Sequence, residues 1–260
     1  MRDDATVYLM YHELELPGRP LCQPEPGYVR YVVQEANFCE QMEWLQSVGR
    51  RGISVSQALE GKVSGGVAIT FDDGCETDLT VAAPILREAN FGATFYITVE
   101  FLGRPGYMTR SQVRELSDAE FEIGCHSMTH PYLTDLDDAG LHREIVESKE
   151  QLEEITGRPV HHFSCPGGRW SSRVAEFARR AGYRSVATSR IGTNGPAADA
   201  FQLARIAVMR GLSIRGFADL CSGRGLWQKQ LRDSLQSKAH QLLGNTAYDR
   251  LRSLLLGRGV

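Results

Sequence analysis

Apolar runs of five to eight residues alternate with longer amphipathic stretches along most of the chain. The apolar runs predict β-strands at residues 6–12, 67–71, 93–99, 121–125, 161–165, 183–189 and 201–208. The amphipathic stretches predict helices at residues 37–49, 78–90, 110–120, 137–155 and 171–181. Strands that alternate with helices are typical of βαβ units, so the pattern predicts a parallel sheet.

The number of these units favours an α/β fold of the barrel type. Six or seven units in about 210 residues fit a distorted (β/α) barrel, complete or incomplete, better than an open sheet. Neither G-x-G-x-x-G nor G-x-x-x-x-G-K-[ST] occurs, so nucleotide-binding loops of those kinds are excluded. We expect one catalytic domain over residues 1–210 and a carboxyl-terminal extension over residues 211–260.

The extension has a pattern of its own. Trp227, Leu231 and Leu235 stand four residues apart, and an apolar pattern resumes at 246–256, which predicts amphipathic helices. Residues 221–260 carry seven basic and two acidic side chains. Three alternatives stay open for this extension: packing on the barrel, a homodimer interface, or peripheral contact with an anionic membrane surface.

Charge and cysteine usage limit the partners and the location. The formal net charge of −3 argues against a nucleic-acid partner. The six cysteines form no C-x-x-C pair, which is typical of free thiols in a reducing compartment. The amino-terminal apolar run is too short for a secretory signal, and no apolar run reaches 18 residues. We therefore expect a cytoplasmic location, with association at the inner face of the membrane as an extension of it.

Polar groups follow several of the apolar runs. These strand ends read "YH" at 11–12, "FDDG" at 71–74, "CHSMTH" at 125–130 and "CPGG" at 165–168. Catalytic groups of parallel barrels gather where the strands end and the loops begin. The coincidence of four such ends predicts an enzyme.

Two histidines and two carboxylates suggest a metal centre. His126 and His130 are four residues apart, a spacing that places both imidazoles on one side of a helical turn. Two histidines and one carboxylate form a common ligand set for zinc and similar cations. Of Asp72 and Asp73, one would bind metal and the other would accept a proton from water. Either motif alone is more typical of a surface helix or an ordinary turn than of a metal site, and only their combination favours the metal site.

The motifs together resemble a known family. "TFDDG", "ATFYIT", "IGCHSMTHPYL" and "FSCPGG" are similar to the polysaccharide deacetylases of the NodB-homology type, carbohydrate esterase family four. "LMYHEL" and residues 31–59 resemble the amino-terminal part of its exopolysaccharide branch. The resemblance covers about residues 6–210. It implies the NodB-type barrel, an N-acetylated glycan substrate and a divalent metal, zinc before cobalt, nickel or iron.

The resemblance also implies roles for individual residues. Asp72 would be the general base and Asp73 the carboxylate ligand, with His126 and His130 completing the metal triad. The backbone N–H of Gly167 would help to bind the oxyanion.

The third motif departs from the family. Ser164 occupies the place of the family's base-orienting arginine, and Gly167 replaces an aromatic residue. Arg169 or Arg205 could supply the missing guanidinium. Trp170 could restore an aromatic platform for a sugar ring, with packing as the equal alternative.

The general acid departs as well. In the family, the histidine that acts as general acid lies on a late strand, and the corresponding strand here contains no histidine. The resemblance to the exopolysaccharide branch implies that the general acid lies on the first strand instead. His12 is therefore the candidate acid, with a strand-capping role as the alternative. Cys75 and Cys125 flank the metal motifs. We expect both to be packing residues, with contact to a soft metal as the alternative.

These residues predict a metal-dependent deacetylase. Its substrate would be the N-acetylhexosamine residues of a bacterial exopolysaccharide or of its lipid-linked precursor. One alternative is a non-catalytic carbohydrate-binding relative that keeps the metal triad. Another is a deacetylase of a small N-acyl compound or a peptidoglycan fragment.

Overall fold

The computed structural model describes residues 5–61, 63, 65–224 and 226. In this part of the chain the strands are β1 (Val7–Tyr11), β2 (Leu14–Glu15), β3 (Val33–Gln34), β4 (Gly52–Ile53), β5 (Val67–Phe71), β6 (Thr94–Ile97), β7 (Glu122–Cys125), β8 (His162–Ser164), β9 (Ser185–Ala187) and β10 (Ile206–Ala207). The α-helices are α1 (Pro26–Val29), α2 (Glu35–Ser47), α3 (Val55–Glu60), α4 (Ala83–Glu88), α5 (Arg110–Asp118), α6 (Asp138–Leu141), α7 (Ser148–Thr156), α8 (Ser172–Arg180) and α9 (Ile214–Cys221). A π-helical turn, Asp78–Ala82, leads into α4, and another, His142–Glu147, joins α6 to α7.

The main sheet is parallel and curled. Its strand order is β10-β1-β5-β6-β7-β8-β9, and β4 pairs with the first half of β5. Leu203 bridges to Ala187 in β9, while Ile206 pairs with Leu9 in β1, so residues 203–207 contact both edges of the sheet. The predicted distorted α/β barrel is confirmed, with this short segment on its closing side.

The apolar runs form strands because both of their faces are covered. All five residues of β1 and of β5 are buried, as in parallel sheets with helices on one side and a packed interior on the other. Tyr11, Phe71 and Phe95 stack across three adjacent strands, with ring centroids 5.2 and 4.9 Å apart. This packing fixes the register that brings the strand ends to one edge.

Most of the predicted elements are present, and the differences have local causes. The strand predicted at 67–71 matches β5, and the other strands are shorter than predicted because they end where the side chains turn toward loops. The two-residue strands β2 and β3 pair with each other, Leu14 opposite Val33, where the sequence pattern predicts no strand. Strands of two residues carry no periodicity that a sequence could show.

The carboxyl-terminal extension begins with a helix that packs on the barrel. Phe217 of α9 is buried, and its ring meets the Trp44 ring of α2 edge-on at 5.8 Å. The predicted amphipathic helices at 227–244 and 246–256 lie outside the described residues, so the domain boundary at 210 stays a prediction. None of the described helices has the length and apolar character that a membrane span requires.

Close packing inside the sheet gives a first test. A Cβ atom on Gly124 of β7 would lie 2.4 Å from Cδ1 of Tyr96, so we expect Gly124→Ala to lower the free energy of unfolding by about 1–3 kcal/mol. Gly27→Ala is the matched control, because nothing lies within 4 Å of its Cβ position. Urea unfolding of both variants measures the difference, and equal stabilities would contradict the packing described here.

Candidate metal centre and active site

The two adjacent carboxylates stand at the carboxyl end of β5. The Asp72 N–H donates to the Tyr11 carbonyl at 3.0 Å, so the pairing of β1 with β5 continues one residue past both strands. Asp73 and Gly74 then adopt left-handed backbone conformations, with φ of 82° and 86°. Such a conformation is uncommon for an aspartate and typical of functional turns. Both carboxylates approach Nε2 of His126, Asp72 Oδ2 at 3.8 Å and Asp73 Oδ1 at 3.6 Å.

Asp73 meets both histidines of the predicted triad. Its Oδ1 atom lies 3.6 Å from Nε2 of His126 and 3.5 Å from Nε2 of His130. Asp73 and His126 are buried, and no hydrogen bond reaches this Oδ1 from any described residue. The three ligand atoms lie within 4.8 Å of one another. An unsatisfied buried carboxylate oxygen facing two imidazoles fits a divalent cation.

The segment between the two histidines is a loop, not the predicted helical turn. Ser127 and His130 have φ of 72° and 68°, and the Ser127 hydroxyl accepts a hydrogen bond from the His130 N–H at 2.9 Å. The reversed backbone, rather than helical spacing, brings both imidazoles to one point. The predicted ligands are brought together, but the predicted local structure is wrong.

Buried Glu144 holds this loop in place. One of its carboxylate oxygens accepts the Met128 and Thr129 N–H groups at 2.9 and 2.8 Å, and the other accepts the Thr129 hydroxyl at 2.7 Å. Groups that support metal ligands from behind determine how well those ligands are oriented. The sequence analysis did not identify Glu144, because its partners come from a loop about fifteen residues away and no local motif marks it.

The surroundings of His126 keep its imidazole neutral and fix its tautomer. Its Nδ1 lies 2.9 Å from the Ser164 carbonyl, which can only accept, so Nδ1 carries the proton and Nε2 faces the carboxylates with a lone pair. Burial, opposed by the Asp72 carboxylate and reinforced by His130, lowers the pKa of His126 to about 4. The imidazole is therefore uncharged at neutral pH, as a metal ligand must be.

Asp72 makes a different set of contacts. Its two oxygens each accept a hydrogen bond from Arg205 at 2.7 Å, and Oδ2 also accepts the Ser164 hydroxyl at 3.2 Å. Arg205 is held in turn by the Thr188 carbonyl at 3.0 Å and by the Ser164 hydroxyl at 2.7 Å. Bidentate pairing of this kind fixes the plane of the carboxylate.

Two arginines, Arg169 and Arg205, could supply the guanidinium that the third motif lacks. Arg205 does so from the segment that closes the barrel, whereas the Arg169 guanidinium stacks on Tyr132 at 5.0 Å. Burial raises the pKa of Asp72, but the charge of Arg205, with His126, outweighs it and leaves that pKa well below its usual range. Asp72 is therefore ionised at neutral pH.

His12 lies beside the site at the end of β1. It follows Tyr11, the residue that pairs with Phe71 immediately before Asp72. The half-buried His12 ring packs on Tyr31 at 5.0 Å, and its buried Nδ1 has no hydrogen-bond partner among the described residues. A capping bond from Nδ1 to a described loop is therefore absent, and the role of His12 as acid stays a prediction.

The third motif forms a tight turn. Gly167 has φ of 59°, and a Cβ there would lie 2.7 Å from the Tyr132 ring, which explains why no aromatic residue stands at this position. The Trp170 N–H donates to the Phe201 carbonyl at 2.7 Å, and its ring packs against the core. These contacts support the packing alternative for Trp170. The oxyanion role of Gly167 and the platform role of Trp170 stay predictions.

The two cysteines that flank the motifs are buried. Cys125 donates to the Ser148 hydroxyl at 3.2 Å, consistent with the expected packing role. Cys75 lies 3.6 Å, sulfur to sulfur, from Cys22 and belongs to a cluster separate from the Asp73, His126 and His130 group.

Known proteins resemble this chain in both sequence and structure. Residues 61–186 match the polysaccharide deacetylase family. The chain is 25% identical over 215 residues to the putative polysaccharide deacetylase YxkH of Bacillus subtilis, covering 80% of this chain and 73% of that one. It is 34% identical over 125 residues to a chitooligosaccharide deacetylase of Azorhizobium caulinodans, covering 47% of this chain and 58% of that one.

Solved structures share the fold. The putative polysaccharide deacetylase BA0330 of Bacillus anthracis superposes with a TM-score of 0.72 at 25% identity, covering 84% of this chain and 69% of that one. IcaB of Ammonifex degensii superposes with a TM-score of 0.70 at 21% identity, covering 84% and 96%. Residues 61–186, just under half of the chain, therefore carry the match to the polysaccharide deacetylase family. His12 and Arg205 lie outside the matched segment.

The loop support provided by Glu144 is open to test. We expect Glu144→Gln to weaken metal binding about 10- to 100-fold, because an amide cannot accept all three hydrogen bonds that orient the histidine loop. Competition with a chromophoric chelator measures the affinity. The control is Glu147→Gln, whose side chain is exposed on the same helix. An unchanged affinity in Glu144→Gln would show that the loop holds its shape without this anchor.

The Asp72–Arg205 pair makes a prediction about stability. Arg205→Met leaves a buried carboxylate without its partner, so we expect the free energy of unfolding to fall by about 3–5 kcal/mol. The Asp72→Asn/Arg205→Met double variant should recover part of that loss. Arg210→Met, which breaks the more exposed pair with Glu15, should cost under about 1 kcal/mol. Urea unfolding of the metal-free proteins measures these differences. Equal losses of stability in Arg205→Met and Arg210→Met would contradict the importance of the buried pair.

Proposed function

We propose that this protein is a metal-dependent hydrolase that removes N-acetyl groups from amino-sugar residues. The observation that carries the proposal is the contrast between two adjacent carboxylates. Asp72 is charge-paired with Arg205, whereas Asp73 offers an unsatisfied oxygen to two imidazoles. Active sites that use acid–base chemistry often contain two titratable groups of the same kind whose different surroundings give them different roles.

Asp73, His126 and His130 would hold the cation. When bound, a divalent cation supplies Lewis acidity, which polarises the acyl carbonyl and lowers the pKa of water toward neutrality. The set of two imidazoles and one carboxylate suits zinc, and cobalt, nickel or iron would also fit it.

The remaining residues would position and move protons. Asp72, ionised and fixed in its plane by Arg205, accepts a proton from the attacking water at a carboxylate oxygen. The Gly167 N–H donates to the developing oxyanion. His12 gives a proton to the leaving amine, for which its position at the end of β1 beside Asp72 is suited.

The proposed substrate is a glycan that carries N-acetylhexosamine, from an exopolysaccharide or its lipid-linked precursor. The likeness to IcaB supports the fold, and the motif resemblance to the exopolysaccharide branch supports the substrate class. A small N-acyl compound or a peptidoglycan fragment remains the alternative substrate. The ionised, oriented Asp72 argues against a purely carbohydrate-binding role, because binding a glycan requires no base.

The location and the surface partners of the protein stay predictions from its sequence. These are the cytoplasmic location, contact of the basic carboxyl-terminal segment with an anionic membrane surface, and a homodimer.

Acetate release tests the activity. Zinc- or cobalt-reconstituted protein should release acetate from short N-acetylglucosamine oligomers. We expect Asp72→Asn to lower kcat/KM by about 100- to 10,000-fold, the usual contribution of a positioned base. His12→Ala should also lower kcat/KM, because it removes the proposed proton donor. Asp118→Asn, on an exposed side chain at the end of α5 whose carboxylate lies 3.9 Å from Arg158, should leave the rate unchanged.

Metal content must be measured beside the rate. Asp72→Asn should keep the metal that the Asp73 group binds, so that its loss of rate reports the base. Wild-type protein that binds metal and glycan but releases no acetate would favour the carbohydrate-binding alternative. Turnover that persists in His12→Ala would place the acid elsewhere.

A further inference from the structure

A second cluster of metal-ligating side chains lies behind the Asp73 turn. Ligand atoms of Glu13, Cys22 and Cys75 lie within 4.8 Å of one another, and we call these three residues the thiol cluster. The two sulfur atoms are 3.6 Å apart. Glu13 and Cys75 are fully buried, and Cys22 is half-buried. The cluster joins the segment after β1 to the turn after β5.

A buried carboxyl without partners lies beside the thiol cluster. Asp78 is fully buried, and neither of its oxygens has a hydrogen-bond partner among the residues that the structure describes. Its backbone N–H donates to the Cys75 carbonyl at 3.0 Å, which places it one turn from that thiol. Buried polar groups without partners are rare, and an absent ion or water is a common reason for them.

The surroundings of Asp78 are mostly acidic. Burial, and after it the charges of Cys22, Asp73 and Glu13, raise the pKa of Asp78 well above its usual range. The cation that contacts the thiol cluster is Arg19, whose guanidinium is committed to Glu13 at 2.6 Å and to the Gly106 carbonyl at 3.0 Å. Glu13, Cys22, Cys75 and Asp78 are thus four potentially anionic groups in one described region. Arg19, which pairs with Glu13 there, also lies 3.6 Å from the Glu76 carboxylate.

We propose that Glu13, Cys22 and Cys75 form a second metal site, which takes a thiophilic divalent cation such as zinc. Two thiolates on a tetrahedral zinc ion, with Zn–S bonds of about 2.3 Å, lie roughly 3.8 Å apart. The observed sulfur separation of 3.6 Å is close to that value. The charge of the cation compensates the Asp78 carboxyl beside it. Each thiol gives its proton to solvent as the metal binds.

The site is held in shape without the metal. The Glu13 carboxylate accepts the Cys22 N–H at 2.9 Å and the Tyr28 hydroxyl at 3.2 Å, and the same hydroxyl lies 3.3 Å from the Cys75 sulfur. Gly106 packs so closely that a Cβ there would lie 2.8 Å from the Cys22 sulfur. Supporting contacts of this kind orient metal ligands.

Such a site would be structural rather than catalytic. Two of its three ligands are fully buried, and none of the three is needed for the proposed acid–base chemistry. It would clamp the segment that carries His12 onto the turn that carries Asp73, because Glu13 follows His12 and Cys75 follows Gly74. The inference goes beyond the proposed function, which needs only the first metal.

Cobalt binding distinguishes the two sites. Chelator-stripped, fully reduced protein is titrated with Co²⁺ while near-ultraviolet absorption and bound metal are followed. We expect two equivalents per chain and a thiolate-to-cobalt charge-transfer band. Cys22→Ser should lose the band and one equivalent, since a serine hydroxyl does not replace a thiolate. Asp78→Asn should keep the band but weaken binding at the thiol cluster at least tenfold.

Two controls separate the sites and exclude misfolding. Cys39→Ser removes a thiol on α2 that contacts Glu43, and it should keep both equivalents and the band. His126→Ala/His130→Ala should lose the first equivalent and keep the band. Metal-free Cys22→Ser should unfold at the same urea concentration as metal-free wild type.

One equivalent and no charge-transfer band in reduced wild-type protein would overturn the second site while leaving the first intact. A band that survives in Cys22→Ser would overturn it as well. Loss of both equivalents in His126→Ala/His130→Ala would show that the thiol cluster binds no metal of its own. Failure of the proposed function would look different, as two bound metals without acetate release.

Discussion

The buried pair between Asp72 and Arg205 is the interaction on which the rest of the site depends. It joins the end of β5 to the segment at 203–207, which contacts both edges of the curled sheet. Two charges in a water-free interior are tolerated only when each is fully paired. Arg205 satisfies this condition with Asp72, Thr188 and Ser164. The same contacts therefore hold the closing segment of the barrel and orient the Asp72 carboxylate.

Charge is distributed unevenly around this pair. Asp72 has its cation within the protein, whereas Asp73 has two imidazoles beside it and no hydrogen bond to Oδ1 from the described residues. The left-handed backbone at Asp73 and His130 holds the ligand atoms where no regular element would place them. The thiol cluster and Asp78 likewise have more potentially anionic groups than cations around them. Both places have the donor atoms that divalent cations prefer, on either side of the same turn.

Sequence reasoning recovered the elements whose pattern is repeated over several residues. The strand at 67–71 was predicted with its bounds, because five consecutive buried residues leave a clear apolar run. It missed β2, β3 and β4, whose two residues each are held by pairing partners distant in the chain. It assigned a helical turn to His126 and His130, because spacing alone cannot show that Ser127 reverses the backbone.

The sequence by itself determined the apolar strands, the carboxylates and imidazoles at their ends, and the family that these motifs resemble. Local patterns carry that information because strand burial and motif spacing involve neighbours along the chain. The tertiary structure decided that Arg205 rather than Arg169 pairs with Asp72, that Glu144 supports the histidine loop, and that Cys22 meets Cys75. Those contacts join residues from 15 to 133 positions apart, and such distances are set by how the sheet curls rather than by any local preference.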